Sequence, residues 1–432
     1  MQTTLRHLAA WMPQQRWYTP TGREPRLRVL AERRLSSSAP DVDVQLLIVG
    51  DGDDADAIVY QVPLVSRPRT GEPEPSHTVG VDDDRLLVDG PHDPAFTAAL
   101  LVELGRPDLA GPASVLTGEQ SNTSVIFRPS HAAPVICKVF RRLHPGINPD
   151  IELQSALAAA GSAHVPPVIG HLDGEWTSTA PGEPAVRGSL AFAQEFLPDV
   201  EDAWRVALAA AAVSADFSAE AQSLGRATAD VHRDLAHLFP TPPADADARR
   251  SIVAAWRRRL SIAVAEVPAL GAFHDAVARI YARAEAAPWP HLQRVHGDYH
   301  LGQVLHSPTR GWMLLDFEGE PMRPISERRA PDLALRDIAG MLRSFDYVAG
   351  SLRLQRGPHQ LDATADAAAD AWALAARTSF LTGYGSTFAD PSGALLDALE
   401  LDKAVYEAIY EARHRPAWLA IPLAAVARLV MR

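Results

Sequence analysis

The pattern of hydrophobic residues changes once along this chain, near residue 200, and that change limits the folds it can adopt. Before it, short apolar stretches such as Val42–Val49 and Ala57–Val62 flank turn-forming residues, which predicts antiparallel strands. After it, long Ala- and Leu-rich stretches predict helices. A chain of 432 residues also exceeds the roughly 250–300 residues that one hydrophobic core usually organises. The sequence therefore predicts an α+β fold with a β-rich part followed by a mainly helical part.

Three subdomains follow from this pattern. Residues 1–101 are predicted to form a β-rich cap, with a helix beginning at Asp93, and residues 102–197 an intermediate subdomain. The intermediate subdomain has the predicted order strand, turn, strand, helix, strand, with elements at Ser124–Phe127, Val135–Phe140, Asp150–Ala160 and Leu190–Phe196. Residues 198–432 form the helical lobe, with predicted helices at Ala219–Leu238, Ala248–Val264, Phe273–Ala287, Asp362–Tyr384, Ser392–His414 and Pro416–Met431. One non-helical stretch, Val295–Glu320, interrupts them.

Charge and hydropathy narrow the possible partners. The formal net charge of -12 offers no basic surface for nucleic acid. No uncharged apolar stretch reaches the roughly 18 residues of a membrane span, and the N-terminal residues do not resemble a secretory signal. The single cysteine, Cys137, cannot form an intramolecular disulfide and lies in an apolar stretch typical of a core. We expect a cytoplasmic protein without nucleic-acid or membrane partners, and the sequence does not distinguish a monomer from a homodimer.

The non-helical stretch carries the residues that suggest chemistry. His296–Gln303 (HGDYHLGQ) is followed by an apolar run, Trp312–Leu315, and then by Asp316–Glu320 (DFEGE). Phosphoryl transfer to an alcohol requires a carboxylate beside the attacking hydroxyl and metal ligands near the phosphates. Asp298 fits the first role, and Gln303 and Asp316 fit the second because Mg²⁺ takes hard oxygen ligands. The order of these residues predicts a phosphotransferase, and the alternative is a hairpin whose polar ends are merely solvated.

The same residues resemble the actinobacterial maltokinases and the related glucosamine kinases. These enzymes belong to the aminoglycoside-phosphotransferase-like branch of the protein-kinase-like fold. The resemblance covers most of the chain, through Gln14–Tyr18, Gly118–Ser124, Asn148–Glu152, Leu335–Phe345 and Glu407–Pro422. It implies a bilobal protein-kinase-like fold with a β-rich N-terminal cap and a mainly helical C-terminal lobe. It also implies ATP and Mg²⁺ as cofactors.

Individual roles follow from the resemblance. Asp298 is implied as the catalytic base, and Gln303 and Asp316 as the metal ligands. Lys138 is implied as the lysine that pairs with the nucleotide phosphates, and Glu152 as its carboxylate partner; the alternative for Lys138 is an edge-strand lysine that reaches solvent. The other nucleotide-binding residues are expected in a phosphate turn and a hinge, at Ser121, Asn122, Thr123, Gln194, Glu195 and Leu197.

The acceptor site is expected in the helical lobe, near Asp298. In the predicted helix over Ser392–His414, residues 403, 406, 407, 410 and 411 share one face by their i, i+3 and i+4 spacing. That face offers hydroxyl partners and aromatic rings, as a sugar site requires. The predicted substrate residues are Asp298, His300, Arg336, Asp337, Lys403, Tyr410 and Glu411. The alternative is an exposed helix face held by salt bridges.

Two sugars compete as the acceptor in the family that the chain resembles. Maltokinases form maltose 1-phosphate, and glucosamine kinases form glucosamine 6-phosphate. Thr19–Arg23 and Leu333–Leu335 depart from the maltokinase pattern, and carboxylates such as Asp337, Glu407 and Glu411 suit the ammonium group of an amino sugar. We therefore expect a glucosamine kinase.

Three other classes remain as alternatives. An antibiotic phosphotransferase shares the catalytic segment and would favour a broad acidic groove. A pseudokinase-like binding module is disfavoured because Asp298, Gln303 and Asp316 are all present. A metal hydrolase built on the closely spaced His296, Asp298 and His300 would leave Lys138 and Glu152 unexplained.

Overall fold

The computed structural model describes residues 1–20, 22–52, 57–69, 77–116, 122–180, 182–357, 362–385 and 393–431. These residues form two compact units, one of residues 1–152 and 166–198 and the other of residues 153–165 and 199–432. The division near residue 198 coincides with the predicted start of the helical lobe. The first unit contains the predicted cap and most of the predicted intermediate subdomain, whose residues 153–165 belong to the second unit. The division into three subdomains remains a prediction.

The first unit contains two antiparallel sheets. Its elements are α1 (Gln2–Trp11), β1 (Leu27–Leu35), β2 (Asp43–Asp51), β3 (Ile58–Pro68), β4 (Thr78–Asp82), β5 (Arg85–Asp89), α2 (Pro94–Glu103), β6 (Ala113–Val115), β7 (Asn122–Phe127), β8 (Val135–Phe140), β9 (Arg142–Leu143), β10 (Val168–Trp176) and β11 (Val186–Glu195). Helix α3 (Pro149–Ala159) begins in the first unit, and its residues from 153 onwards belong to the second. The cap sheet has the strand order β1-β2-β3-β5-β4, with β9 added to β3. The second sheet has the order β10-β11-β8-β7-β6.

Strand β2 shows why part of the cap sequence is apolar at consecutive positions. Leu46 and Ile48 belong to a core shared with the second sheet and α2, whereas Leu47 and Val49 belong to a separate core shared with α1. Alternate side chains of a strand point to opposite faces, so a strand covered on both faces is apolar at every position. Cys137 lies fully buried in the first of these cores, as predicted, and burial raises the pKa of its thiol to about 12.

The second unit is mainly helical. Its elements are β12 (Glu201–Asp202), α4 (Ala203–Ala212), α5 (Ser218–Leu238), α6 (Ala246–Glu266), α7 (His274–Ala286), β13 (Val304–Ser307), β14 (Gly311–Leu314), α8 (Ile325–Arg329), α9 (Leu335–Arg356), α10 (Ala363–Tyr384), α11 (Ala394–His414) and α12 (Ala420–Val430). Aspartates cap several helices: the side chains of Asp202, Asp245 and Asp362 accept backbone N–H groups at the starts of α4, α6 and α10. Such caps satisfy the unpaired donors of the first turn and set where each helix begins.

Several elements were not predicted from the sequence. Helix α1 and strand β10 are absent from the predictions, as is α9, the most deeply buried long helix of the second unit. Buried charged residues such as Arg343 and Asp346 interrupt the apolar spacing of α9 and conceal its helical period. The predicted helix over Pro416–Met431 begins instead with a 3-10 turn, Pro416–Trp418, before α12. None of the described helices combines the length and hydropathy needed to span a bilayer.

Candidate active site

The hairpin of β13 and β14 brings the two predicted metal ligands to one end. Val304 pairs with Leu314, and the N–H of Leu315 donates to the carbonyl oxygen of Gln303 at 3.0 Å. Gln303 therefore stands immediately before β13, and Asp316 lies just past the end of β14, at the same end of the hairpin. Asp316 has a left-handed backbone (φ 67°), which is uncommon for a residue other than glycine and is often found at functional sites. Both side chains carry the hard oxygen donors that Mg²⁺ prefers.

A buried aspartate of α9 holds the loop before this hairpin. Asp337 accepts the backbone N–H groups of His296 and Gly297 at 2.8 and 2.9 Å, and Nε2 of His232 donates to it at 3.0 Å. Burial raises the pKa of Asp337, but these donors and the nearby histidines outweigh it and lower the pKa below its ordinary value. Gly297 has φ 84°, a conformation that a side chain would strain. The ionised carboxylate thus fixes the loop in this conformation.

Two further contacts clamp the loop. The Tyr299 hydroxyl lies 2.8 Å from Oγ1 of Thr228 on α5, and the N–H of Leu301 donates to Oγ of Ser344 on α9 at 3.1 Å. The backbone of Tyr299 passes so close to α9 that a Cβ atom on Gly340 would lie 2.4 Å from the Tyr299 carbonyl oxygen. The position of Asp298, the residue before Tyr299, is therefore set by helix packing.

Asp298 is paired with a lysine from α11. Nζ of Lys403 donates to Oδ1 of Asp298 at 3.0 Å and to Oε1 of Glu320 at 2.8 Å, and it lies 4.9 Å from the centre of the Tyr406 ring. Burial alone would lower the pKa of Lys403, but Asp298 and Glu320 raise it well above its ordinary value. Lys403 therefore remains charged and orients one oxygen of Asp298.

A cavity of about 440 Å³ opens beside Asp298. Its lining includes the predicted face of α11 together with aromatic residues from other elements; the lining residues are Trp204, Asp298, His300, Gly302, Pro321, Gly340, Ser344, Tyr347, Lys403, Tyr406, Glu407, Tyr410, Glu411, Arg415 and Trp418. Burial lowers the pKa of His300, and its Nδ1 accepts the N–H of Gly302 at 3.1 Å. A carboxylate, a charged lysine and several rings thus converge on a space of ligand size.

The two glutamates of this cavity have different partners. Both carboxylate oxygens of Glu411 are engaged by Arg415, at 2.6 and 2.9 Å, and Tyr347 donates to one of them at 3.1 Å. Arg343 binds only Oε2 of Glu407, at 2.7 and 3.0 Å, and no described residue hydrogen-bonds to its Oε1. Glu407 therefore presents an available carboxylate oxygen, whereas Glu411 supports the cavity wall.

The structure places two predicted substrate residues away from this cavity. Arg336 donates to Asp332 at 2.6 Å and to Asp402 at 3.4 Å within a buried ion cluster, and Asp337 binds the backbone of the loop that carries Asp298. Neither lines the cavity, because the face of α9 that does so carries Gly340, Ser344 and Tyr347. Those positions follow i, i+4 and i+7 spacing, a signal that would have identified Tyr347 had α9 been predicted.

The aromatic and basic end of the cavity was also missed from the sequence. Arg415 lies 4.8 Å from the centre of the Trp418 ring, and Trp418 stacks on Tyr347 with 6.3 Å between ring centres. Arg415 and Trp418 follow the α11 face after a break in the helix, so helical spacing alone does not reveal them. Nε2 of His296 donates to the carbonyl oxygen of Leu315 at 2.8 Å. Because this nitrogen is already used in a hydrogen bond within the site, the alternative of a histidine metal site is disfavoured.

In the first unit, Lys138 is paired with a carboxylate other than the predicted partner, Glu152. Its Nζ donates to Oδ2 of Asp150 at 2.9 Å, and Asp150 is completely buried. The side chain of Asn148 accepts the N–H of Asp150 and thereby orders the start of α3. Burial of a lysine requires such a partner, which argues against a solvent-seeking edge lysine. The predicted role of Glu152, one half-turn further along α3, remains a prediction.

The predicted nucleotide residues differ in their positions. Ser121 lies outside the described residues, and Asn122 begins β7. Thr123 pairs with Val139, the neighbour of Lys138, so its side chain lies on the opposite face of the sheet; its Oγ1 accepts Nε of Arg141 at 2.8 Å. Strand alternation thus turns the Thr123 side chain away from the face of Lys138, and its assignment to the nucleotide remains a prediction.

The predicted hinge lies at the end of β11. Gln194 is buried, the N–H of Glu195 donates to the carbonyl oxygen of Pro167 at 2.9 Å, and the N–H of Phe196 donates to that of Pro134 at 2.8 Å. These bonds fix the strand end and leave Leu197 as the next residue of the chain, also buried. The assignment of this segment to the nucleotide base remains a prediction.

Comparison with known proteins agrees with this geometry. Residues 11–93 match the maltokinase N-terminal cap domain, and residues 113–373 match the phosphotransferase enzyme family. A glucosamine kinase from Streptacidiphilus jiangxiensis is 31% identical over 412 residues, which cover 87% of this chain and 88% of the relative. A glucosamine kinase from Mycolicibacterium smegmatis is 33% identical over 254 residues, covering 55% of this chain and 61% of that relative.

Solved structures of glucosamine kinases are also similar to this chain. A glucosamine kinase in complex with glucosamine, ADP and inorganic phosphate superposes with a TM-score of 0.64 at 27% identity, covering 98% of both chains. A second crystal form of a glucosamine kinase gives a TM-score of 0.67 at 25% identity, covering 99% of both chains. The predicted α+β, protein-kinase-like fold class is thereby confirmed. The chain belongs to the phosphotransferase enzyme family, in the branch that contains the glucosamine kinases.

Proposed function

We propose that this protein is an ATP-dependent glucosamine kinase that forms glucosamine 6-phosphate. The family membership and the near full-length similarity to a glucosamine kinase support the reaction class. The observation that carries the choice of sugar is the cavity beside Asp298, in which Oε1 of Glu407 is available to a cationic group. Because the reaction consumes ATP, we place it in the cytoplasm.

Asp298 is proposed as the base. The 6-hydroxyl oxygen of the sugar attacks the γ-phosphorus of ATP, the bond from that phosphorus to the β,γ-bridging oxygen breaks, and the hydroxyl proton passes to Asp298. The pairing of Oδ1 with Lys403 supports this role, since it fixes the carboxylate and leaves Oδ2 to meet the hydroxyl. The side chain of Asp298 is 17% exposed, which leaves it accessible from the cavity.

The remaining roles concern ATP and magnesium. Lys138, oriented by Asp150, is proposed to pair with the nucleotide phosphates, and the main chain near Glu195 and Leu197 to hold the base. Gln303 and Asp316 are proposed to hold Mg²⁺, because the hairpin presents their oxygen donors at the same end. Bound Mg²⁺ would neutralise charge on the phosphates.

The charge of the cavity supports an amino sugar. Its lining carries three carboxylates, Asp298, Glu407 and Glu411, against two cations, Lys403 and Arg415. Burial raises the pKa of Glu407 although Arg343 and Lys403 oppose this, so a cationic ligand would favour its ionised form. Glucosamine carries an ammonium group near neutral pH, whereas glucose and maltose are neutral. Maltose is the second candidate, supported by the match of residues 11–93 to the maltokinase cap.

The test is ATP consumption with glucosamine, glucose, maltose and kanamycin side by side, with products analysed by NMR. We expect the highest kcat/KM with glucosamine and a phosphate coupled to the protons on C6. A maltose product phosphorylated at C1, or a preference for kanamycin, would replace glucosamine with that substrate. Absence of ATP consumption with all four would contradict this assignment.

A further inference from the structure

One arginine is completely buried in the first unit and is not explained by the proposed chemistry. Arg141 is 0% exposed, and its guanidinium makes a two-point salt bridge to Asp89 at 2.9 and 2.6 Å. Its Nε donates to Oγ1 of Thr123 at 2.8 Å, and its Cζ lies 4.9 Å from the centre of the Trp17 ring. A charge this deeply buried is retained only when its partners satisfy it.

The partners of Arg141 belong to different parts of the sheet system. Asp89 ends β5 of the cap sheet, and Trp17 also belongs to the cap. Thr123 is the second residue of β7, and Arg141 directly follows β8. The cap is therefore joined, through one guanidinium, to two strands of the second sheet at the positions where they begin or end.

These two strands carry three of the predicted nucleotide residues, Lys138 on β8 and Asn122 and Thr123 on β7. Lys138 lies on β8 three residues before Arg141, and on β7 its cross-strand neighbour is Ser124, next to Thr123. Gln61 of the cap strengthens the same junction, because its side chain donates to the carbonyl oxygens of Phe140 and Leu190, both at 2.9 Å. A change at Asp89 would therefore be transmitted to the strand ends around Lys138.

We propose that Arg141 is a positioning residue through which the N-terminal cap sets the geometry of β7 and β8 and thereby the affinity for ATP. The nucleotide part of this inference rests on the proposed function. The cap then acts as part of the nucleotide-binding apparatus, although none of its residues need contact the nucleotide. Thr123, predicted as a nucleotide contact, serves as the link on β7.

The test compares two buried carboxylates of the cap. Asp89→Asn removes the negative charge from the two-point salt bridge with Arg141. Asp51→Asn is the matched control, because Asp51 is 1% exposed and accepts from Tyr18, Arg23 and the N–H of Arg26, all within the cap. We expect Asp89→Asn to raise the KM for ATP about tenfold while the KM for glucosamine stays within about twofold, and Asp51→Asn to leave both within about twofold.

A second variant and a second measurement separate positioning from loss of stability. Thr123→Val removes only the hydroxyl on β7, and we expect it to raise the KM for ATP in the same direction but less. Hydrogen exchange without nucleotide should be faster across residues 122–127 in Asp89→Asn and unchanged there in Asp51→Asn. Equal effects of Asp89→Asn and Asp51→Asn, or an unchanged KM for ATP together with unchanged exchange in Asp89→Asn, would overturn the inference.

Failure of the proposed function gives a different result. A wild-type protein that neither consumes nor binds ATP would refute the kinase assignment and, with it, the effect on affinity. The exchange measurement would still decide whether Arg141 links the cap to β7.

Discussion

Replacement of Gly340 by alanine tests whether helix packing positions the catalytic loop. The added Cβ would lie 2.4 Å from the Tyr299 carbonyl oxygen, whereas real Cβ atoms essentially never approach within 3.0 Å and ordinary contacts begin at 3.4 Å. Either α9 or the loop must therefore move by about 0.6–1.0 Å, the difference between these distances. The displaced segment is backbone, so no side-chain rotation relieves the contact.

The expected consequence is a loss of turnover. Tyr299 follows Asp298 directly, so a shift of this size moves the proposed base relative to the sugar hydroxyl. Misplacement by about 1 Å can cost about 100-fold in rate, which corresponds to about 2.7 kcal/mol in the activation barrier. We expect kcat for Gly340→Ala to fall between about 10-fold and 100-fold, while the KM for ATP changes little.

Gly350→Ala is the matched control because it makes the same substitution in the same helix. Its Cβ would lie 2.7 Å from both Cδ1 and Cγ1 of Ile421, so the crowding is against a side chain of α12 and not against the backbone of the loop that carries Asp298. In both variants, the higher helix propensity of alanine stabilises the fold by about 1 kcal/mol and overpacking destabilises it by about 1–3 kcal/mol. The stabilities of the two variants should therefore change similarly. Steady-state kinetics and thermal unfolding of both variants provide the comparison. A kcat within twofold of wild type for Gly340→Ala, or equal losses in both variants, would refute the packing argument.

Four further predictions concern individual side chains. Asp298→Asn should lower kcat about 10²- to 10⁴-fold, while the affinity for ATP, measured by titration calorimetry, should change little. Substantial residual turnover would contradict the role of Asp298 as base. Treatment of the wild type with EDTA and the substitution Asp316→Ala should each abolish turnover. Added Mg²⁺ should restore turnover to the EDTA-treated wild type but not to Asp316→Ala, and full activity without metal would contradict the proposed metal site. Glu407→Gln should raise the KM for glucosamine at least about tenfold and leave that for glucose nearly unchanged, and a parallel rise for both sugars would argue against charge recognition. Burial raises the pKa of Glu320, but Lys403 and the arginines at 259, 336 and 323 outweigh it and lower the pKa to about 2. The ionised carboxylate therefore stabilises the fold at pH values above its ordinary pKa of 4.5, and this contribution is lost as the pH falls towards 2. Denaturant unfolding of Glu320→Gln should therefore show a weaker loss of stability over that pH range than the wild type, and identical pH dependence would show that Glu320 does not contribute.

The elements that could be predicted from the sequence are those in which the spacing of apolar residues matches the period of a helix or strand. Strands β7 and β8 and helices α5, α6, α7, α10 and α11 have apolar spacing or caps that indicate their type and approximate bounds. Helix α9 was missed because the buried charges of residues 336, 337, 343 and 346 break that spacing. Those charges are tolerated only because partners from other helices and loops reach them, and no local pattern contains those partners.

The candidate site divides in a similar way. Asp298, Gln303 and Asp316 could be predicted as a set because one loop and hairpin carry them within a short stretch of chain. Asp150, Tyr347, Arg415 and Trp418 were not, since each acquires its place through packing with residues outside its own segment. Arg336 and Asp337 were assigned to the substrate from their neighbourhood in sequence, whereas the orientation of α9 turns them towards a buried ion cluster and the loop.

By itself, the sequence determined the α+β composition, the order of most elements, the stretch that carries the proposed catalytic residues and the cavity-facing residues of α11. Each of these depends on periodicity or on residues close together in the chain. The tertiary structure decided which charges meet: Lys403 with Asp298, Arg343 with Glu407, and Arg141 with Asp89. These pairs join residues 52 to 105 positions apart, and only the folded structure aligns them so that their attraction and hydrogen bonds offset the cost of removing charge from water. Local sequence patterns carry no record of that geometry.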